Sequence, residues 1–125
     1  RQRQMCIRDR YRLGEVEMKF ADIIWENEPI ASGELVKLSE QKLNWKKSTT
    51  YTILKRLCER EIFQNADGVV SSLISKEQFQ LNKSEEFLNE NYGGSLPSFV
   101  AAFTSKKKLS REEIDSLRKI IEESR

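Results

Sequence analysis

Histidine is absent from this chain of 125 residues, and cysteine and proline occur only twice each. Without imidazole the commonest general base is missing. Cys6 and Cys58 stand far apart with no CxxC spacing, so soft ligands cannot cluster around zinc or copper. Both cysteines read as reduced thiols, and no metal or other cofactor is expected. A glycine-rich phosphate loop, a nucleophile elbow and a metalloprotease helix are lacking too. The paired acids Glu85-Glu86, Glu112-Glu113 and Glu122-Glu123 fall on predicted exposed helix faces, where solvated charge is the ordinary explanation. The chain is therefore not read as an enzyme. No apolar run approaches the roughly 18 to 20 residues that cross a bilayer, and no signal-peptide-like stretch is visible, so the expected location is the cytoplasm.

What is present describes a globular protein with much surface charge, 38% hydrophobic and 34% charged. The length suits one small domain followed by an association segment. Net charge is only +2, so its distribution matters more than its sum. Residues 1–12 carry +4, which leaves the remainder slightly acidic. Against that body, Lys42 to Arg60 holds six basic residues and a single acid, Glu59.

Residues 1–12 have no helical or strand period and read as a disordered arm. Either the arm reaches a minor groove with its arginines, or it is translated cloning or sequencing-adaptor sequence and not native. Leu13, Val16, Phe20, Ile23 and Ile24 then recur at helical spacing, a first helix ending before Pro29. Ser32 is placed to cap a second, with Leu35, Val36 and Leu38 on its buried face. Asn44 breaks the pattern ahead of a third. At about 100° per residue, Thr50, Ile53, Leu54 and Leu57 share one arc of that third helix. Ser48, Thr52 and Lys55 point away from it, with Thr49 and Arg56 on the margin. Beyond Arg60 the period turns to that of strands: Ile62–Asn65 and Val69–Ile74 flank Ala66-Asp67-Gly68, a hairpin signal.

Three helices and a hairpin are the order of a winged helix-turn-helix, with residues 13–75 as the DNA-binding domain and the third helix as reader. Residues 76–125 read as an all-helical dimerisation segment, making the fold mostly α with a small β-hairpin. Its apolar positions are Phe79, Phe87, Leu88 and Tyr92, then Leu96, Phe99, Val100 and Phe103 after Gly93-Gly94. Last come Ile114, Leu117, Ile120 and Ile121, behind a Ser110-to-Glu113 capping box. A second copy of the chain is the economical cover for those faces; folding back on the winged domain is the alternative. In the competing reading the whole chain is a helical protein-interaction adaptor that binds no DNA.

The residues Leu13-Gly14-Glu15-Val16-Glu17, Ile23-Ile24-Trp25, Trp45, Thr49, Thr52, Leu54, Arg56-Leu57, Phe87-Leu88-Asn89, Leu96, Phe103 and Leu109-Ser110 resemble, in order and spacing, the penicillinase repressor family. The resemblance runs from about Leu13 to the C-terminus. It implies a homodimeric transcriptional repressor on a palindromic double-stranded DNA operator, relieved when a membrane sensor metalloprotease triggers cleavage. It also implies that Ser48, Thr49 and Thr52 face bases, Ser48 standing where relatives have Lys. Lys46, Lys47, Lys55 and Arg56 are assigned to phosphates, and Tyr51 to either surface. The chain departs from the family at Glu61, which replaces a glycine after the third helix, so a different turn into the wing is expected. It departs again at Val69, where a basic residue is common, and at Ala102-Phe103, which aligns with a scissile Asn-Phe. The cysteine cluster of the copper-responsive branch is missing.

Overall fold

The computed structural model describes residues 11–124. Two compact units divide the chain between Ser84 and Glu85. The first contains helix α1 (Glu15–Asn27), strand β1 (Ile30–Ala31), helices α2 (Ser32–Leu43) and α3 (Lys47–Glu59), strands β2 (Phe63–Ala66) and β3 (Val69–Ser72), and the start of α4 (Lys76–Tyr92). Residues 1–10 of the arm expected over 1–12, with Cys6, lie outside the described residues; Tyr11 and Arg12 hold tertiary contacts, so the expected disorder is corrected at those two positions.

Helix α1 opens where Glu17 reaches back to accept the Gly14 N–H at 3.1 Å, with Glu15 and Glu17 placed favourably at the positive end of the helix. Phe20, Ala21, Ile23 and Ile24 form its buried stripe. Leu13 precedes the helix but packs half-buried against the core, and Val16, 46% exposed, is the predicted stripe residue that turns to solvent. Where the chain leaves α1, the Glu28 carboxylate accepts the Ser72 N–H at 2.7 Å and the Ser72 hydroxyl at 3.0 Å, tying that exit to the end of the wing.

The sheet is antiparallel, ordered β1-β3-β2, with Ile30 opposite Val70 and Phe63 opposite Ser72. The predicted hairpin is present, with its strands shifted to Phe63–Ala66 and Val69–Ser72. Its turn is Asp67-Gly68 at φ 53° and 83°, a pair of left-handed residues that matches strand twist and that glycine adopts without strain. Ile62 joins the core instead of the strand. The two-residue β1 was not expected, because so short a segment carries no period. It also changes the start of α2. Ala31 occupies the cap position and Ser32 is the first helical residue, which corrects the predicted Ser32 cap. Ser32 is committed elsewhere: its N–H donates to the Gly68 carbonyl at 2.8 Å, and its hydroxyl accepts from Tyr51 at 3.1 Å. Asn44 ends α2 in the left-handed conformation, φ 59°, and turns the chain into α3.

Trp25 organises the core. Its indole N–H donates to the Ile74 carbonyl at 3.1 Å, and its ring lies 5.1 Å from Phe63 and 5.4 Å from Phe79 between centroids. Phe79 is fully buried, so the first turns of α4 belong to the winged unit. An ion pair between Lys76 and Asp22 at 2.9 Å pins the start of α4 to α1. The hydrogen bond and charge of that carboxylate raise the Lys76 pKa above its ordinary value.

The second unit comprises the rest of α4, then α5 (Leu96–Lys106) and α6 (Arg111–Glu123). Gly93 and Gly94 end α4 in left-handed conformations, and a Cβ on Gly94 would meet the Asn89 carboxamide oxygen at 2.9 Å. Ser95 caps α5 by accepting the Ser98 N–H. Ser110 and Glu113 form the predicted capping box: the Ser110 hydroxyl accepts the Glu113 N–H at 3.1 Å, and the Glu113 carboxylate accepts the Ser110 N–H at 2.9 Å. Phe87, Tyr92, Phe99 and Phe103 cluster at centroid separations of 5.4 to 6.0 Å. No residue among 85–124 is buried. The apolar stripe of α6 has Ile120 at 61% and Ile121 at 60% exposure. Among the described residues no helix is long and apolar enough to cross a membrane.

Truncating a fully buried ring removes packing that the backbone cannot reclaim. Phe79→Ala is expected to cost about 3 to 5 kcal/mol in urea denaturation, and Val16→Ala to stay within about 0.5 kcal/mol.

Candidate nucleic-acid interface

Helix α3 has two chemically distinct edges. Thr50, Leu54 and Leu57 are buried, and the Thr50 hydroxyl donates to the Lys46 carbonyl at 3.2 Å, so burying it leaves no unmet donor. Ile53 is half-buried beside them. Because a helix is rigid, burial of that edge turns Ser48, Thr49, Thr52, Lys55 and Arg56 outward, and all five are exposed. Lys46 and Lys47, at the cap and first position, are exposed as well.

The N-terminal end of α3 is strongly electropositive. No side chain caps it and its first turn contains no acid, so unfilled N–H donors and the positive pole of the helix add to two ammonium groups. The Thr52 hydroxyl donates to the Ser48 carbonyl at 2.9 Å, which leaves it able to accept from an outside donor and to offer its methyl group to an apolar contact.

The structure gathers the predicted residues unequally. Ser48, Thr49, Thr52 and Lys55 share the outward face of α3, and Lys46 and Lys47 are exposed at its N-terminal end. Tyr51 is half-buried, its hydroxyl donating to Ser32. Arg56 is half exposed, with its guanidinium 3.2 Å from the Glu17 carboxylate of α1. Glu17 and Ser32 thus contact two of the predicted residues although sequence reasoning left them out. Both lie far along the chain from their partners, and no local pattern announces such pairs.

Two departures noted in the sequence acquire a geometry here. Glu61 has φ 65°, the conformation a glycine adopts at that place. The Glu61 N–H donates to the Cys58 carbonyl and the Ile62 N–H to the Leu57 carbonyl, the paired bonds of a Schellman helix end. The helix-ending hydrogen bonds hold a left-handed conformation, which glycine adopts without strain, on a residue that has a Cβ. The wing itself carries no cation. Gln64 bonds to Ser71 across the strands at 3.1 Å, and Val69 is 45% exposed at its tip. Between α3 and β2 runs a groove of about 360 Å³ lined by Tyr51, Leu54, Lys55, Cys58 and Asn65. Burial, then the charge of Glu59, pushes the Cys58 thiol pKa up, so it stays protonated and is a poor nucleophile.

The residues assigned to dimerisation lie in the second unit. Phe87, Phe99 and Phe103 meet in its aromatic cluster, and Leu88 is half-buried. Leu96, Val100, Ile114, Leu117 and Ile121 are exposed. Ala102 and Phe103 are both exposed within α5. Among the described residues no group of acids and cysteines could hold a metal ion.

A helix-turn-helix closed by an antiparallel hairpin, with short polar and cationic side chains on the outward face of its third helix, defines a winged-helix protein of the DNA-binding class. The penicillinase repressor family model matches residues 13–123, and the chain belongs to that family. It is 30% identical over 115 residues to the penicillinase repressor of Bacillus licheniformis, covering 89% of this chain and 90% of that one. It is 27% identical to the methicillin resistance regulatory protein MecI of Staphylococcus aureus, covering 89% and 94%. The penicillinase repressor of Staphylococcus aureus is 28% identical, with 86% and 92% covered.

Left-handed backbone costs an L-residue roughly 1 kcal/mol relative to glycine. Glu61→Gly is accordingly expected to raise the stability of the first unit by about 1 kcal/mol in urea denaturation, without altering the far-UV circular dichroism.

Proposed function

We propose that this transcriptional repressor of the penicillinase repressor family acts as a homodimer, reading an inverted-repeat operator with α3 of each subunit. The observation that carries this reading is the exposure of Ser48, Thr49, Thr52 and Lys55 opposite a fully buried edge of the same helix. Ser48, Thr49 and Thr52 are short enough to let α3 approach base edges in the major groove, with hydroxyls and methyl groups suited to adenine, cytosine and thymine. Lys46, Lys47 and Lys55 supply charge for phosphates, with Arg56 contributing from its place beside Glu17 and Tyr51 lying against the same face. The wing, lacking cations, adds little to the backbone contacts.

Dimerisation through the second unit accords with its composition. A helical segment with no buried residue and with Ile114, Leu117, Ile120 and Ile121 on one face of α6 leaves apolar surface that a second copy would cover. Two linked readers spaced about 34 to 36 Å apart would fit successive major grooves, and the link converts the second contact into an intramolecular one. Cutting the second unit at Ala102-Phe103 is the route to relief of repression in this reading, and a membrane sensor metalloprotease its upstream trigger. That bond lies inside α5 and must leave the helix before a protease can hold it extended. A cytoplasmic location accompanies this role.

Selection of bound duplexes from a random pool tests the reading: inverted repeats are the expected product. Absence of binding to any duplex at low salt would overturn it in favour of a protein-interaction adaptor. With roughly three to five phosphates neutralised per subunit, affinity should fall by about 10³ to 10⁵ between 50 and 200 mM salt.

Thr52→Ala is expected to relax base preference at about one position per half-site, whereas Lys47→Ala should weaken all duplexes alike and flatten the salt dependence by about one charge. Ile121→Glu should yield monomers in sedimentation, because an unpaired carboxylate is strongly disfavoured in an apolar seam.

A further inference from the structure

The far end of α3 is held by the chain segment that precedes and opens α1. The Arg60 guanidinium donates to the Arg12 carbonyl at 2.9 Å. One turn earlier, Arg56 bonds the Glu17 carboxylate at 3.2 Å, whose other oxygen accepts the Gly14 N–H. The same segment is fixed at its other end to α4. The Tyr11 ring stands edge-on to Phe79 at 5.6 Å and 69°, and the Tyr11 hydroxyl accepts from the Asn82 side chain at 3.0 Å. Asn82 is in turn oriented by Gln78, whose carboxamide donates to it at 2.8 Å. Residues 11–17 thus join two helices that do not pack extensively on one another.

From this geometry we infer that residues 11–17 form a strap setting the angle between α3 and α4, and that Tyr11 and Arg60 are positioning residues for operator binding. The inference rests on the DNA-binding reading above. Helix α4 is the element that continues past Ser84 into the second unit. A single reader can adjust freely on one half-site. Two linked readers cannot, so slack in the strap penalises simultaneous engagement and leaves the individual contact intact.

The probe is the inverted-repeat duplex recovered by the selection, beside the same duplex with one arm scrambled. Tyr11→Phe, which loses only the hydroxyl, and Arg60→Ala should each weaken binding to the intact repeat by about threefold to tenfold, the scale of one net hydrogen bond. Binding to the scrambled-arm duplex should stay within about twofold, and Arg60→Lys should recover much of the loss. Equal losses on both duplexes, or none on either, overturn the strap. If the native chain binds no duplex, the DNA reading fails and the strap is judged by melting alone. Arg60→Ala, Asn82→Ala and their double variant are compared, since these residues hold opposite ends of the segment. A double variant melting within about 1 °C of the less stable single variant supports a strap acting as one unit, whereas additive shifts refute it.

Discussion

Everything that gives this protein a usable surface follows from the burial of one edge of α3. Thr50, Leu54 and Leu57 are withdrawn from water against α2 and the wing. Truncating a buried leucine typically costs about 2 to 5 kcal/mol, several times what one exposed ion pair contributes. Packing therefore decides the rotation of the helix, and the polar residues take the orientation left to them. Since 3.6 residues make a turn, that orientation is unambiguous: the short hydroxyl side chains and lysines come out together on the opposite face. The one polar residue on the buried edge, Thr50, returns its hydroxyl proton to its own helix and so does not disturb the packing.

Around that helix the winged unit is fastened by a few bonds between residues distant in sequence. Trp25 joins α1 to the exit of the wing and to α4, Glu28 grips the end of β3, and the Gly68 carbonyl receives the first N–H of α2. Each closes a large loop with a small number of atoms. They share a consequence, namely that α3 meets a frame with little freedom to tilt. The second unit is built differently. Its helices are well capped and its aromatic rings touch, but none of residues 85–124 is buried in the sense that the first unit's core is buried. One half of the chain thus carries a closed core, and the other presents apolar faces.

The chain's family and the polar, cationic outward face of α3 stand side by side, and this chain has particulars of its own. The wing carries no cation, whereas Lys46, Lys47 and an uncapped first turn coincide at the N-terminal end of α3. Arg56, which periodicity places on the margin of the helix, is paired with Glu17 of α1 and so serves the frame. Glu61 shows the same economy. The Schellman hydrogen bonds hold a residue with a Cβ in a left-handed conformation that glycine would adopt more readily.

Much of this was legible in the residues themselves. Helical periodicity located all the long helices, Asp67-Gly68 marked the wing turn, Ser110 with Glu113 marked the start of α6, and the outward face of α3 followed from its apolar arc. These features are local, set by backbone geometry and by side chains three or four positions apart, so a linear reading contains them. Folding alone decided the rest: the two-residue strand β1, the diversion of Ser32 from cap to tertiary bond, the pairing of Arg56 with Glu17, and the docking of Tyr11 on Phe79. Each of these depends on groups brought together across long stretches of chain. No propensity or period encodes them, because the partner that gives each residue its role is absent until the core has closed.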